Sequence, residues 1–165
     1  MDTAVVDAWI PFWSAVAAAA ATLTGLVFVA VSINLKPILK QSWLVDRAAE
    51  SMMQLMGALL LAVATLVPHQ PLRALGAEVI VISGTLWLTQ TIGQIRYLHR
   101  SADHPLTWRL WRVVQTQAAS APLLVSGILL ASPDPSGLWW LAPGLVLSLV
   151  AGVFNAWVLL VEILR

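Results

Sequence analysis

Few side chains in this sequence could do chemistry, and the most informative are polar residues inside apolar segments. Ser83, Trp87, Gln90 and Gln94 follow one another at spacings that place them on one face of a helix. Amide side chains do not face lipid, so in a membrane this stripe would point into a helix bundle or a wet cavity. Two interpretations stay open: hydrogen bonds between helices, and a path for water or a solute.

Glu78 is the most informative acidic residue, because it lies within an apolar segment with no basic residue one helical turn away. Carboxylates inside membranes commonly carry protons or bind ions. It is equally open that Glu78 is shallow enough to reach the outer interface or to pair with Arg73. Glu50, which has Arg47 three residues before it and Gln54 four residues after it, favours an interfacial ion pair.

Two segments carry small residues at four-residue spacing, which lets helix backbones approach closely in lipid. They are Ala17, Ala21 and Gly25 near the N-terminus, and Gly144, Ser148, Gly152 and Ala156 near the C-terminus. We expect both faces to make close helix contacts, either within one chain or between chains. Asn155 lies midway between Ser148 and Glu162 at seven-residue spacing, which predicts either a polar seam or isolated packing hydrogen bonds.

The sequence offers little for catalysis. It contains no cysteine and only three histidines, which excludes thiolate sites and argues against a histidine-rich metal site. His69 is predicted on the outer side and His99 and His104 on the inner side, so no Ser, His and Asp set lies at one depth. We therefore expect no enzyme activity, no cofactor, no metal and no binding to nucleic acid.

The elements that position these residues are membrane helices. Of the 165 residues 59% are hydrophobic and 10% charged, and a soluble domain could not bury that much apolar surface. The run from Ala8 to Leu35 has no charge and exceeds the roughly 20 residues needed to cross a bilayer. Asp2 and Asp7 precede it, whereas a signal peptide needs basic residues there, so we expect a retained span.

The sequence predicts an all-α bundle of five transmembrane helices in a single domain, residues 1–165, with spans near 9–34, 48–67, 72–95, 108–131 and 137–164. Pro122 falls inside the fourth span and is expected to kink it by freeing a carbonyl near Ala118. Eight of the nine basic residues fall on one side of these five spans. The positive-inside rule then places the N-terminus outside and the C-terminus in the cytoplasm.

Aromatic and basic residues mark the predicted membrane interfaces. Tryptophan and arginine are typical of the headgroup level, where they anchor helices or contact anionic lipids. We expect this role for Trp108, Trp111, Arg109, Arg112, Trp139 and Trp140.

The segment A-A-T-L-T-G-L-V-F-V-A-V-S-I-N-L from Ala20 to Leu35, followed by a basic connection and R-A-A-E-S, resembles small bacterial integral membrane proteins. Some of these carry the label of modulators of the FtsH membrane protease. The resemblance covers about the first two spans. It implies a multi-pass protein of the bacterial cytoplasmic (inner) membrane and gives no mechanism.

The same stretch is similar to the pore helix of store-operated calcium channel subunits, through T-G-L-V-F-V-A at Thr24 to Ala30. That family's selectivity glutamate would fall at Ile33, and the basic flank is at the opposite end of the helix. The resemblance therefore implies a shared way of packing and no calcium selectivity.

The leading functional hypothesis is a non-enzymatic accessory, regulatory or scaffold subunit that acts through helix packing. Its partners would be the lipid bilayer and either further copies of itself or a larger membrane protein. The alternative is a small homo-oligomeric channel or transporter for an ion or small solute, lined by Glu78, Ser83, Gln90, Gln94 and Asn155.

Overall fold

The computed structural model describes residues 6–100 and 106–163, with the side chains of 97–100, 106–109, 112 and 163 outside the description. Over these residues the chain is all-α and has no strand. The helices, in chain order, are α1 (Ile10–Ile33), α2 (Leu35–Leu39), α3 (Ser42–Thr65), α4 (Leu72–Arg100), α5 (Leu106–Ala131) and α6 (Gly137–Ile163).

Five of these helices contain a segment long and apolar enough to cross a membrane, as predicted. The segments are Ile10–Ile33, Ser42–Thr65, Leu72–Arg96, Val113–Ala131 and Gly137–Glu162. The protein is therefore a helical membrane protein. The second span begins at Ser42 rather than near residue 48, because the connection between the first two predicted spans forms the short helix α2 and the first turns of α3.

The long helices α3, α4, α5 and α6 form a ring in which each packs against its two neighbours. Successive helices run antiparallel: Gly76 of α4 meets Ala131 at the end of α5, and Gly144 of α6 meets Leu123 within α5. Helix α1 lies outside the ring, mainly against α3 and only slightly against α6. The ring is thus closed without α1.

Local chemistry explains where α1 and α3 begin and end. Pro11 lies in the first turn of α1, where its missing N–H is harmless. Asn34 ends α1 by donating from Nδ2 to the carbonyl of Ala30 at 2.9 Å. Gln41 has an extended backbone that separates α2 from α3. His69, in the turn between α3 and α4, has a left-handed backbone with φ of 57°.

The turn between α5 and α6 is held by Asp134, whose carboxylate accepts a hydrogen bond from the backbone N–H of Ser136 at 2.9 Å. This backbone hydrogen bond, helped by one from the Ser136 side chain, holds the pKa of Asp134 below its ordinary value. Both prolines inside long helices, Pro122 in α5 and Pro143 in α6, lie within uninterrupted helical segments.

The apolar core fills the half of the bundle nearest the start of α1. Trp13 is fully buried and belongs to the same core cluster as leucines of α3, α4, α5 and α6. The ring of Trp9 stacks on that of Trp13, with 5.2 Å between the ring centroids, and meets the ring of Trp139 edge-on, with 4.8 Å between the centroids. These contacts join the starts of α1 and α6. We call this half the tryptophan end. Most of the buried polar side chains lie in the other half.

Candidate functional site

The main candidate site is a layer of buried polar side chains inside the ring, in the half away from the tryptophan end. On α3 the spacing of Glu50, Ser51 and Gln54 puts them on one helical face, and all three are buried. Arg47, one turn before them, is half-buried. We call the polar side chains described in this and the following paragraphs the polar layer.

The α3 residues bond directly to α6. The Arg47 guanidinium donates to Asn155 Oδ1 at 3.1 Å, and Asn155 Nδ2 donates to Gln54 Oε1 at 3.2 Å. Ser51 Oγ donates to the backbone carbonyl of Gly152 at 2.7 Å. Asn155 thus uses its acceptor and one of its donors on α3, which fixes the register of the two helices.

Gln117 is the corresponding centre between α4 and α5. Its Oε1 accepts from Trp87 Nε1 at 2.7 Å, and its Nε2 donates to Thr91 Oγ1 at 3.3 Å and to Gln94 Oε1 at 3.4 Å. Gln90 is also buried, with 4% of its surface exposed. Hydrogen bonds of this kind between membrane helices contribute about 0.6 kcal/mol each on average.

The two groups of polar residues lie at a similar depth in the ring. A Cβ on Gly57 of α3 would lie against Leu86 of α4, and in this antiparallel register Gln54 lies at the level of Gln90. Gln54 Nε2, Gln90 Oε1 and Gln94 Nε2 are buried with no hydrogen-bond partner among the described residues. The layer therefore presents amide and hydroxyl groups together with the guanidinium of Arg47 and the carboxylate of Glu50. The unpartnered amide atoms could accept or donate a hydrogen bond to a further polar group.

The structure buries four of the five predicted pore residues and leaves the fifth exposed. Ser83 is buried with its hydroxyl donating to the carbonyl of Val79, one turn earlier on the same helix. Asn155, Gln90 and Gln94 are in the polar layer. Glu78 is exposed on the surface of α4 near the tryptophan end, so the structure does not bring it together with the other four.

The two small-residue faces also differ. Gly144, Ser148, Gly152 and Ala156 of α6 are all buried, and a Cβ on Gly152 would come within 2.7 Å of Leu55 Cγ. On α1, Ala17 is half-buried against the apolar core, whereas Ala21 and Gly25 are exposed. No described residue outside α1's own backbone has an atom within 4 Å of a Cβ built on Gly25.

The predicted interface residues lie near helix ends. Trp139 is 70% exposed and Trp140 48% exposed at the start of α6, and Trp111 is 59% exposed near the start of α5. Trp108, Arg109 and Arg112 lie on α5, and the side chains of all three are outside the description. The same holds for the side chain of His99, and His104 lies outside the described residues altogether.

Gln117 and the glycines Gly57 and Gly76 were not among the predicted site residues. A side-chain amide within an apolar helix, as at Gln117, is a signal of an inward-facing position. A glycine inside a helix costs about 1 kcal/mol relative to alanine, so its presence indicates a packing reason. Both signals are present in the sequence.

Within the described part of the chain, no group of three or more His, Cys, Asp or Glu residues could hold a metal ion. Comparison of the sequence with protein-family models, with curated proteins and with solved structures gives no match in any of the three. The class of protein is therefore defined by the fold alone: a helical membrane protein with five potential spans and a polar layer within its four-helix ring.

Proposed function

We propose that this protein is a non-enzymatic accessory, regulatory or scaffold subunit of a membrane assembly, and that α1 is the helix through which it docks. The observation that carries this proposal is the low burial of α1. In its most apolar stretch of 18 residues only 17% of the residues are buried, compared with 61% in the corresponding stretch of α3 and 50% in that of α6. Helix α1 packs mainly against α3 alone, so most of its surface is free for another helix.

The exposed surface of α1 is suited to close packing. Ala18, Ala21, Thr22 and Gly25 all lie on it, and small residues let a partner backbone approach closely, which increases dispersion contacts in lipid. The Thr22 hydroxyl donates to the carbonyl of Ala18 at 2.8 Å, so it needs no partner from elsewhere. A helix of a second subunit would meet a shallow groove bordered by larger residues such as Leu26.

The proposed setting is the bacterial cytoplasmic membrane, with the tryptophan end outside and the C-terminus in the cytoplasm. The distribution of lysine and arginine supports this orientation, because eight of nine lie on the side assigned to the cytoplasm. The resemblance of the first two spans to small bacterial membrane proteins supports the location.

The test is Gly25→Leu, with Gly84→Leu as the matched control. Both glycines are in membrane helices, and neither has a described neighbour within 4 Å of a Cβ placed on it. We expect Gly25→Leu to lower the mass of the native complex after mild extraction, while Gly84→Leu leaves it unchanged. An unchanged mass for both variants would contradict the proposal.

A single cysteine at position 21 identifies the partner, because the chain has no cysteine of its own. Oxidation of an Ala21→Cys variant that yields a dimer of this chain would show a homo-oligomer. A crosslink to a different protein, through a thiol-reactive bifunctional reagent, would show a hetero-complex.

A second candidate, a small channel or transporter, is favoured by one observation: three buried amides of the polar layer have unpartnered atoms. Ser83, Gln90, Gln94 and Asn155 are buried within one chain, so a path along them would run through the ring rather than between copies. Liposomes containing the protein would then leak an ion or solute faster than empty vesicles, and Gln90→Leu would reduce the flux. Equal leak with and without protein would exclude this candidate.

A further inference from the structure

A cleft of about 700 Å³ opens at the tryptophan end of the bundle. Its walls come from three parts of the chain: residues before and at the start of α1, residues 65–73 around the α3–α4 turn together with Leu75, and Pro133 in the α5–α6 turn. This volume lies in the range of about 300–1,000 Å³ that is typical of sites for small organic ligands. Neither the polar layer nor the exposed face of α1 includes this cleft.

The cleft is amphipathic. Leu72 and Leu75 form a buried apolar part of the wall. Asp7, His69 and Arg73, all exposed, add a carboxylate, an imidazole and a guanidinium. A ligand that fits would therefore combine an apolar portion with a polar group carrying both signs of charge.

The position of the cleft indicates which amphiphile is available. It lies beside the indole-rich start of α1 and α6, and exposed tryptophans such as Trp139 and Trp140 mark the headgroup level of a bilayer. A molecule entering there comes from the interface, with its polar group at the water side and its apolar part toward the core.

We propose that this cleft binds one zwitterionic phospholipid, with the phosphate at Arg73 and the ammonium group at Asp7. A guanidinium matches phosphate oxygens with two parallel hydrogen bonds, and a carboxylate accepts from an ammonium group. A lipid of only negative charge would satisfy Arg73 but would be repelled by Asp7. The pair of opposite charges on different segments therefore selects for the zwitterion.

The experiment is native mass spectrometry of the detergent-purified protein with equal amounts of phosphatidylethanolamine and phosphatidylglycerol. We expect one phosphatidylethanolamine retained per chain in preference to phosphatidylglycerol. Arg73→Gln should weaken this retention about tenfold, since a charge-assisted phosphate contact is lost. Asp7→Asn should reduce the preference between the two lipids. Both residues are exposed, so neither change should disturb folding.

Arg96→Gln is the matched control, because Arg96 is an exposed arginine on the same helix at the opposite end. Retention by this variant should equal that of the unchanged protein. The proposal is overturned if the two lipids are retained equally, if phosphatidylglycerol is preferred, or if Arg73→Gln and Arg96→Gln have the same effect.

Discussion

Replacing Gly76 with alanine places a methyl group against the backbone of a neighbouring helix. A Cβ on Gly76 would lie 2.2 Å from the amide nitrogen of Ala131 and 2.5 Å from the carbonyl carbon of Leu130. Because these are backbone atoms, no change of rotamer can relieve the overlap. The 2.2 Å contact must open to at least 3.0 Å, so α4 and α5 must move apart by about 0.8 Å at this point.

The expected change in the free energy of unfolding caused by Gly76→Ala follows from two opposing effects. Alanine favours a helix over glycine by up to about 1 kcal/mol, whereas forcing an extra carbon into a packed contact typically costs about 1–3 kcal/mol and occasionally more. The overlap here is with backbone on both sides, so we expect the upper part of that range to apply. The net effect of Gly76→Ala is then a loss of about 1–2 kcal/mol in the free energy of unfolding.

Gly84→Ala is the internal comparison, because it makes the same change on the same helix at a position with no described neighbour within 4 Å. Only the helix preference acts there, so Gly84→Ala should leave stability unchanged or raise it. The assay is unfolding of the purified protein by added dodecyl sulfate in mixed micelles, followed by tryptophan fluorescence. The reasoning is refuted if Gly76→Ala is as stable as Gly84→Ala.

Three further predictions are tested with the same unfolding assay, the third of them by repeating the assay at different pH values. Gly152→Ala should destabilise less than Gly76→Ala, because the added methyl group overlaps the side chain of Leu55 and comes no closer than 3.4 Å to a backbone atom of α3. A second change, Leu55→Val, should then restore part of the lost stability. The free energy of unfolding of His69→Val should be about 1–2 kcal/mol lower than that of His69→Gly, since the left-handed backbone at this position disfavours a β-branched residue. Because the pKa of Asp134 is lowered in the folded protein, its carboxylate adds stability above pH ~4, and this contribution is lost as the pH falls through the lowered pKa. Asp134→Asn should therefore make stability fall less steeply with decreasing pH, and an unchanged dependence of stability on pH would contradict this.

The number and class of the helices could be predicted because lipid imposes one strong rule: a spanning segment must be helical and apolar over about 20 residues. Prolines and charges around Pro68 and Asp134 separated the later spans clearly. The start of α3 at Ser42 could not be located in the same way. The residues from Ser42 to Arg47 are polar enough for an interface, yet nothing among them breaks a helix.

The choice of neighbours could not be predicted, and the two small-residue faces show why. Gly25 and Gly152 lie in the same kind of pattern, but Gly152 is covered by Leu55 and Gly25 is not covered by any described residue. In lipid an apolar face is acceptable whether or not a helix covers it, so hydrophobicity gives no signal to separate the two cases. Small-residue spacing identifies a face that permits close contact without specifying its partner.

Polar side chains orient helices more strongly than apolar ones in this chain. Gln90 and Gln94 must avoid lipid, and this turns one face of α4 toward the inside of the ring, where Gln117 donates to Gln94. Glu78 is on the same helix but only about 9 Å along it from Leu72, at 1.5 Å per residue. At that depth a carboxylate can reach the headgroup level, so exposure of Glu78 costs little. Depth along the helix, together with residue type, therefore determines which polar residues of α4 must face the interior.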